Sequence, residues 1–144
     1  MGRRTKAEAA QTRQEIIDAA RRVFHERGVS RTSMENVAQA AGVSRGAIYW
    51  HFENKAALFY AMREQTARVL DQVHSHMLSP EIANPLDAIE HSLCLLFEIL
   101  ENNPLVRETF EIMSLRCEYV DEFAPVLQEV IRPLHLTPPA KAAK

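Results

Sequence analysis

The sequence has few of the residues that mark secreted, membrane or nucleotide-binding proteins. It contains two cysteines, Cys94 and Cys117, which form no C-x-x-C pair, and its first eleven residues lack the apolar stretch of a signal peptide. No unbroken apolar run approaches the ~18 residues that suggest a membrane span. These absences argue against a disulfide-stapled scaffold and a membrane protein, and we expect a chain that works in the reducing cytoplasm.

Glycine is confined to positions 2, 28, 42 and 46, so neither a glycine-rich phosphate loop nor a nucleophile elbow is present. His74 and His76 lie two residues apart, which places their rings about 200° apart around a helix and prevents a shared metal ion. Solvated or structural histidines are the simpler interpretation. We therefore expect no catalysis, no metal site and no cofactor.

Size and charge indicate one folded unit whose N-terminal part is basic and whose C-terminal part is acidic. The 144 residues are 47% hydrophobic and 25% charged, enough for one core and a small second module. Residues 1–55 carry ten basic and six acidic side chains, a net +4, and the remainder carries seven and thirteen, a net −6. The positive charge of residues 1–55 favours binding of this part to a polyanion, although a chance distribution of charged residues explains the difference equally well.

Apolar side chains recur every three to four residues along almost the whole chain, and no segment alternates apolar and polar residues long enough for a strand. The pattern predicts an all-α fold. A first helix begins at Ala7 or Gln11 and ends at Arg27, where Gly28 supplies a left-handed turn and Val29 folds back in a Schellman cap.

Two short helices follow the first. Thr32 is predicted to cap the second helix, with Glu35 reaching back in a capping box, and Gly42 ends that helix. Ser44 then caps a third helix that ends at Phe52. A short helix, a glycine turn and a second short helix are typical of a helix-turn-helix, whose second helix lies in the major groove of DNA.

The remaining helices form a second region. The predicted boundaries are Asn54 to Ser79-Pro80 for the fourth helix, Leu86 to Leu100 for the fifth, Asn103-Pro104 to Cys117 for the sixth, and Pro125 to Pro133 for the seventh. The fifth helix is apolar on most sides in its second half, so we expect it to be buried centrally. The tail over residues 134–144 has nothing to pack and should be disordered.

The third helix has an outward face suited to DNA. At 100° per residue, Ile48 and Phe52 face the core, whereas Gly46 and Trp50 face the opposite way. A tryptophan on the solvent side of a short helix is unusual, and Gly46 removes bulk where the helix would meet a groove. Arg45 can reach a guanine edge with two hydrogen bonds. The side chains predicted to contact phosphate oxygens are Ser44, Tyr49, His51 and Lys55.

The run Tyr49-Trp50-His51-Phe52-Glu53-Asn54-Lys55, preceded by the segment 28–48, resembles the DNA-binding domain of the TetR/AcrR family of bacterial transcriptional repressors. The segments Arg3-Arg4-Thr5-Lys6 and Arg116-Cys117-Glu118-Tyr119 are similar to the subgroup that controls multidrug efflux pumps. The resemblance implies an N-terminal three-helix helix-turn-helix domain over residues 1–55 and a shortened helical ligand-binding and dimerisation domain over residues 56–133. It implies DNA contacts by Thr32, Ser33, Arg45, Tyr49, Trp50, His51 and Lys55.

The resemblance also implies a function, that of a cytoplasmic, nucleoid-associated repressor of a multidrug efflux operon. Such a protein binds double-stranded operator DNA as a homodimer and is released by a hydrophobic small-molecule inducer. Family members usually continue through two further long helices that form the dimer interface, and those helices are absent here. The alternative is a truncated interaction protein that binds DNA weakly or not at all and acts through a full-length relative, or is inactive.

Apolar side chains of the fifth and sixth helices are candidates to line a ligand cavity. They are Leu93, Leu96, Phe97, Phe110, Met113 and Cys117. Core packing explains the same residues without a ligand. If the two helices are left half covered, the residues predicted to form an exposed apolar patch are Leu93, Leu96, Phe97, Phe110, Ile112 and Leu115.

Overall fold

The computed structural model describes residues 5–131, which fold into seven α-helices and one 3₁₀ turn without a strand. The elements are α1 (Lys6–Arg27), α2 (Met34–Ala41), α3 (Arg45–His51), α4 (Lys55–Met77), α5 (Pro85–Asn102), α6 (Pro104–Leu115), the 3₁₀ turn (Asp121–Phe123) and α7 (Ala124–Ile131). The predicted all-α fold is confirmed. The tail over residues 134–144 lies outside the described residues, and its predicted disorder stays a prediction.

Helices α1, α2 and α3, here called the head, enclose one end of the hydrophobic core. Their buried apolar residues are Ile16, Ile17, Ala19, Ala20, Phe24, Met34, Val37, Ala38 and Ile48. The start of α1 is fixed by a capping box, in which the Thr5 hydroxyl accepts from the Glu8 N–H and the Glu8 carboxylate accepts from the Thr5 N–H. Each helix buries one apolar face, and this shared burial sets how the three helices cross.

The start of α2 differs from the sequence prediction. Its N-cap is Ser33, whose hydroxyl accepts from the Asn36 N–H at 3.1 Å while the Asn36 side chain accepts from the Ser33 N–H at 3.0 Å. The Thr32 side chain is buried, and its hydroxyl donates to the Gly28 carbonyl oxygen at 2.7 Å. The predicted box of Thr32 and Glu35 is therefore wrong, because the Thr32 hydroxyl closes the turn that follows α1.

The end of α1 is tied to the second half of the chain. Gly28 has φ 86° and ψ 156°, a backbone conformation that residues with a Cβ rarely adopt. The Val29 N–H donates to the Arg116 carbonyl oxygen at 2.8 Å. The predicted Schellman cap is wrong, since this N–H bonds to the end of α6 and not back to α1.

Helix α4 connects the head to the body, here defined as α4 to α7. Asn54 caps α4 as predicted, its side chain accepting from the Ala57 N–H at 2.8 Å. The fully buried ring of Phe59 lies 6.1 Å from the Phe24 ring of α1 and 5.4 Å from the Phe123 ring of the 3₁₀ turn, measured between ring centroids. These contacts make one continuous core from head to body.

Two side-chain pairs also join α1 to α6. Arg21 Nε lies 3.3 Å from Glu108 Oε2, and His25 Nε2 lies 2.5 Å from Glu111 Oε2. Together with the main-chain hydrogen bond at the end of α6, they hold α6 against the head along its length.

Helix α5 is less buried than its composition predicts. Among its residues, Ala88 and Ser92 are buried, whereas Leu86 is 71% and Phe97 is 66% exposed. The expectation of central burial is wrong because α5 packs mainly on α4 and α6, which cover one side of it. None of the helices within residues 5–131 is both long enough and apolar enough to cross a bilayer.

Helix α6 begins as predicted, with the Asn103 side chain accepting from the Val106 N–H at 3.3 Å and Pro104 in the first turn. It ends at Leu115, so the prediction that Cys117 continues it is wrong. The predicted exposed patch is confirmed in part: Leu93, Phe97 and Leu115 are exposed, Leu96 and Phe110 are half-buried, and Ile112 is buried.

Candidate nucleic-acid interface and cavity

The turn between α2 and α3 sets the geometry of the candidate interface. Gly42 ends α2 with φ 68° and ψ 28°, in the left-handed region, and its N–H donates to the Gln39 carbonyl oxygen at 3.2 Å. Ser44 then caps α3 by accepting from the Ala47 N–H at 3.1 Å. This arrangement is the predicted helix-turn-helix.

Helix α3 places large polar and aromatic side chains on its outer face, as its periodicity predicts. Ile48 is fully buried and anchors the helix, whereas Trp50 is 74% exposed and Tyr49 is 41% exposed. A tryptophan that is largely exposed is rare on surfaces that bind no other molecule. His51 is half-buried, and the Trp50 ring packs edge-on against it with centroids 4.6 Å apart. Gly46 is also exposed and lies one helical turn before Trp50.

Arg45 at the start of α3 has two neighbours on the surface. Its Nε lies 3.5 Å from Glu35 Oε1 of α2, and its guanidinium lies 5.8 Å from the centroid of the Tyr49 ring. Both charged side chains of the pair are more than half exposed, so the pair is weak and easily exchanged for another acceptor. Sequence reasoning missed Glu35 as this partner, because Glu35 lies in the first turn of α2, ten residues before Arg45.

Two of the residues predicted to contact DNA are turned inward. The Lys55 ammonium donates to the Val29 carbonyl oxygen at 2.8 Å and to the Thr32 carbonyl oxygen at 3.0 Å. The Thr32 side chain is only 3% exposed. Both residues therefore hold the loop between α1 and α2 against α4, and one ammonium N–H of Lys55 is left for another acceptor. Ser33 and Ser44, the caps of α2 and α3, are exposed beside this loop and the turn.

A second feature is an apolar cavity of about 540 Å³ in the body, between α4, α5 and α6. Its lining residues are Leu70, Val73, His74, Met77, Ile89, Ser92, Leu93, Leu96, Phe110, Met113, Ser114, Tyr119 and Leu127. The volume is within the range of about 300–1,000 Å³ that is usual for small-molecule sites.

Four of the six predicted lining residues, Leu93, Leu96, Phe110 and Met113, lie in the cavity wall. Phe97 does not, because it is on the outward side of α5, and neither does Cys117, which packs against the main core beyond the end of α6. The prediction of these two residues as lining is wrong. Sequence reasoning missed the wall contributed by α4, where Leu70, His74 and Met77 follow one another at helical spacing.

A half-buried hydroxyl group and a half-buried thiol group border the cavity and the core beside it. The Tyr119 hydroxyl donates to the Met113 carbonyl oxygen at 2.5 Å. Burial raises the pKa of Tyr119 from 10.0 to about 12, and the nearby Cys117 adds to the shift. Burial likewise raises the pKa of Cys117 from 9.0 to about 11. Both groups therefore stay neutral at physiological pH.

Residues 16–62 match the family of bacterial regulatory proteins, tetR family. The chain is 40% identical over 133 residues to the HTH-type transcriptional regulator TtgR of Pseudomonas putida, covering 90% of this chain and 61% of TtgR. It is 39% identical over 128 residues to the HTH-type transcriptional regulator AcrR of Shigella flexneri, covering 89% of this chain and 60% of AcrR. The chain thus spans about three fifths of the length of these relatives.

Solved structures agree with the sequence matches. NalD, the secondary repressor of the MexAB-OprM multidrug efflux pump in Pseudomonas aeruginosa, superposes with a TM-score of 0.68 at 35% identity over 90% of this chain and 64% of NalD. The complex of SmeT with triclosan gives a TM-score of 0.65 at 30% identity over 85% of this chain and 60% of SmeT. These matches confirm the predicted resemblance to the bacterial regulatory proteins of the tetR family, and the family match itself lies in residues 16–62.

Proposed function

We propose that this protein is a transcriptional repressor of a multidrug efflux operon that binds duplex DNA through α3. The outward face of α3 carries the proposal, because Arg45, Tyr49 and Trp50 are exposed on a helix that Ile48 anchors in the core. The described relatives support the same class of function, since TtgR and AcrR are transcriptional regulators and NalD is an efflux-pump repressor.

The side chains divide into base-reading and backbone-contacting groups. Arg45 reads a guanine edge after exchanging Glu35 for the base. Ser33, Ser44, Tyr49 and His51 donate to phosphate oxygens, and Trp50 packs against the sugar-phosphate backbone. Lys55 and Thr32 position the loop that carries Ser33, and the remaining ammonium proton of Lys55 is available to a phosphate.

Gly46 supports an external contact for the same face. A Cβ built at Gly46 meets nothing nearer than the Ser44 hydroxyl oxygen at 4.0 Å, so packing within the chain does not require glycine there. Glycine inside a helix lowers stability by about 0.5–1 kcal/mol relative to alanine. Close approach of the helix to a DNA groove gives a reason for glycine at this position.

The cavity in the body serves, in this proposal, as the site of a hydrophobic inducer. Its walls come from α4, which begins at the head, and from α6, which is tied to α1 through Arg21, His25 and Val29. A ligand that shifts α6 therefore displaces the head, and DNA affinity falls.

The single tryptophan of the chain makes DNA binding measurable. Duplexes from the region upstream of the protein's own gene are titrated while Trp50 fluorescence is recorded. We expect quenching that saturates with one of these duplexes and not with a scrambled duplex. Arg45→Ala should remove the difference between the two duplexes, while Arg68→Ala, an exposed arginine on α4, should not. A fluorescence signal that no duplex changes contradicts the proposal.

A separate experiment tests whether an inducer lowers the affinity of the protein for DNA. Triclosan, the compound in the SmeT complex, is added to the preformed DNA complex. We expect DNA affinity to fall at least tenfold. DNA affinity that stays constant with triclosan bound contradicts the induction part of the proposal and leaves the DNA-binding part standing.

The second candidate function is an interaction protein that does not repress alone. The exposed apolar side of α5, with Leu86 and Phe97, favours it. Light scattering with and without operator DNA separates the candidates: two copies per duplex support the repressor, whose heads must lie about one helical turn apart or a multiple of it. A monomer that binds no duplex supports the interaction protein.

The proposed repressor acts in the bacterial cytoplasm, on the nucleoid.

A further inference from the structure

A polar cleft of about 200 Å³ lies where the end of α6 meets the end of α1. Arg27 lines it from the last turn of α1, Arg31 from the loop that follows, and Arg116 from the position after α6. The hydrogen bond from the Val29 N–H to the Arg116 carbonyl oxygen fixes the joint at this place. This arginine cleft shares no described lining residue with the apolar cavity.

The guanidinium groups of the arginine cleft are unpaired within residues 5–131. In this part of the chain, the arginines whose side chains make no hydrogen bond, ion pair or ring contact are Arg22, Arg27, Arg31, Arg68 and Arg116. Three of these five arginines line one small cleft. All three are exposed, so their donors are open to a ligand from solvent.

The cleft keeps a positive charge after the opposing charges are counted. Glu118 also lines it, but its carboxylate forms no ion pair with an arginine within residues 5–131. The C-terminal ends of α1 and α6 contribute about half a negative charge each, and the three arginines exceed both contributions by about one charge. Cys117 adds no charge at neutral pH, because burial raises the pKa of its thiol to about 11.

This arrangement is suited to a small oxyanion. Guanidinium groups bind phosphate through paired N–H donors, and a phosphate monoester carries about −1.5 to −2 charges at neutral pH. The exposed Ser30 hydroxyl, also in the lining, is a further donor. A volume of about 200 Å³ is below the range of about 300–1,000 Å³ that is usual for drug-sized ligands.

We propose that the arginine cleft binds a phosphate group, which Arg27, Arg31 and Arg116 hold between the end of α1 and the end of α6. The bound phosphate stabilises the attachment of the head to the body, because it links the two helix ends beside the hydrogen bond of Val29. A small molecule or the DNA backbone can supply the phosphate, and the two arms of the experiment separate these sources. The inference goes beyond the proposed function, which assigns no role to this cleft.

Thermal melting of the full chain tests a phosphate supplied by a small molecule. Tm is measured in a phosphate-free buffer at pH 7.5 without and with 10 mM sodium phosphate, and sodium chloride keeps the ionic strength constant. We expect phosphate to raise Tm by about 3–5 °C, the shift that a Kd of about 1 mM implies. Arg116→Gln should reduce this shift to less than about 1 °C. Glu118→Gln should enlarge it, because the variant lacks the opposing charge.

The matched control is Arg68→Gln, an exposed arginine of α4 that is also unpaired within residues 5–131. It should leave the shift in Tm unchanged. Arg116→Gln keeps the main-chain oxygen that accepts from Val29, so its Tm without phosphate should stay close to that of the wild type. A phosphate shift that survives Arg116→Gln, or one that Arg68→Gln reduces equally, overturns the inference.

The second arm tests a phosphate supplied by DNA. The affinity for a duplex is measured at several salt concentrations with the wild type, Arg116→Gln and Arg68→Gln. If DNA supplies the phosphate, inorganic phosphate leaves Tm unchanged, and only Arg116→Gln lowers the slope of log affinity against log salt, by about 0.9. An unchanged Tm together with an unchanged slope overturns the inference and leaves DNA binding through α3 standing. If no duplex binds, the proposed function fails, and the melting experiment alone decides the inference.

Discussion

At the scale of single residues, exposure separates side chains that the sequence groups together. Arg45 and Lys55 both stand at the start of a helix, and both are basic. Arg45 projects into solvent with a weak partner, whereas the Lys55 ammonium is held by two carbonyl oxygens. Arg45 is therefore the one of the two that the proposed function assigns to DNA, whereas Lys55 mainly keeps the loop before α2 in place.

Arg45→Ala should relax base preference at a cost of about 1–3 kcal/mol in binding to the preferred duplex. Binding-site selection with wild type and variant measures it. Glu35→Gln is the companion change: it removes the partner of Arg45 and a negative charge near DNA, so affinity should rise and depend more steeply on salt. An unchanged selection profile for Arg45→Ala would show that Arg45 does not read bases.

Lys55→Met should lower the free energy of unfolding by about 1–3 kcal/mol, because two main-chain acceptors lose a charged donor. Urea denaturation measures the change. Lys6→Met, at an exposed position in the first turn of α1, is the control and should have a much smaller effect. If the two variants are equally stable, the hydrogen bonds of Lys55 do not hold the loop.

At the scale of elements, the head could be predicted well from the sequence because its signals are local. The glycine turn, the caps Ser44 and Asn54 and the outward face of α3 all depend on residues within a few positions of one another. The cap of α2 was misplaced by one residue, since Thr32 and Ser33 are both good caps. The position of the Gly28 carbonyl, which is set by tertiary contacts, decides between them.

The body could be predicted less well because its burial depends on which helices meet. The composition of α5 indicates a central helix, yet its outward side carries Leu86 and Phe97. The cavity wall from α4 was missed for the same reason: periodicity shows that Leu70 and His74 share a helix face but not what that face contacts.

The two glycines of the helix-turn-helix should respond oppositely to alanine. Gly42→Ala should lower stability by about 1–2 kcal/mol, because φ is 68° there and the left-handed conformation is strained for alanine even in open space. Gly46→Ala should raise stability by up to about 1 kcal/mol and yet weaken DNA binding, since the added methyl group faces the groove. Thermal melting and Trp50 fluorescence titration measure the two effects. A Gly46→Ala variant with unchanged DNA affinity would contradict close approach at this position.

At the scale of the whole molecule, alkaline pH should destabilise the fold. Burial raises the pKa of Cys117 to about 11 and that of Tyr119 to about 12, so the folded state favours the neutral form of both groups. Their contribution is fully present below the unfolded pKa values of 9.0 and 10.0, and it is lost as pH rises through about 11 to 12. Urea midpoints at pH 8, 10 and 11 should fall in that order. The double variant Tyr119→Phe and Cys117→Ala should flatten the decline, and an equally steep decline in it would assign the effect to other groups.

The row of rings formed by Phe24, Phe59 and Phe123 has a practical consequence for protein engineering. A fragment cut after residue 55 would keep Phe24 but lose the two aromatic neighbours that cover it. Chimaeric regulators made by grafting these three helices onto a foreign body should therefore misfold unless the recipient supplies aromatic residues at the positions of Phe59 and Phe123. The head therefore depends on aromatic residues of the body to complete its hydrophobic core.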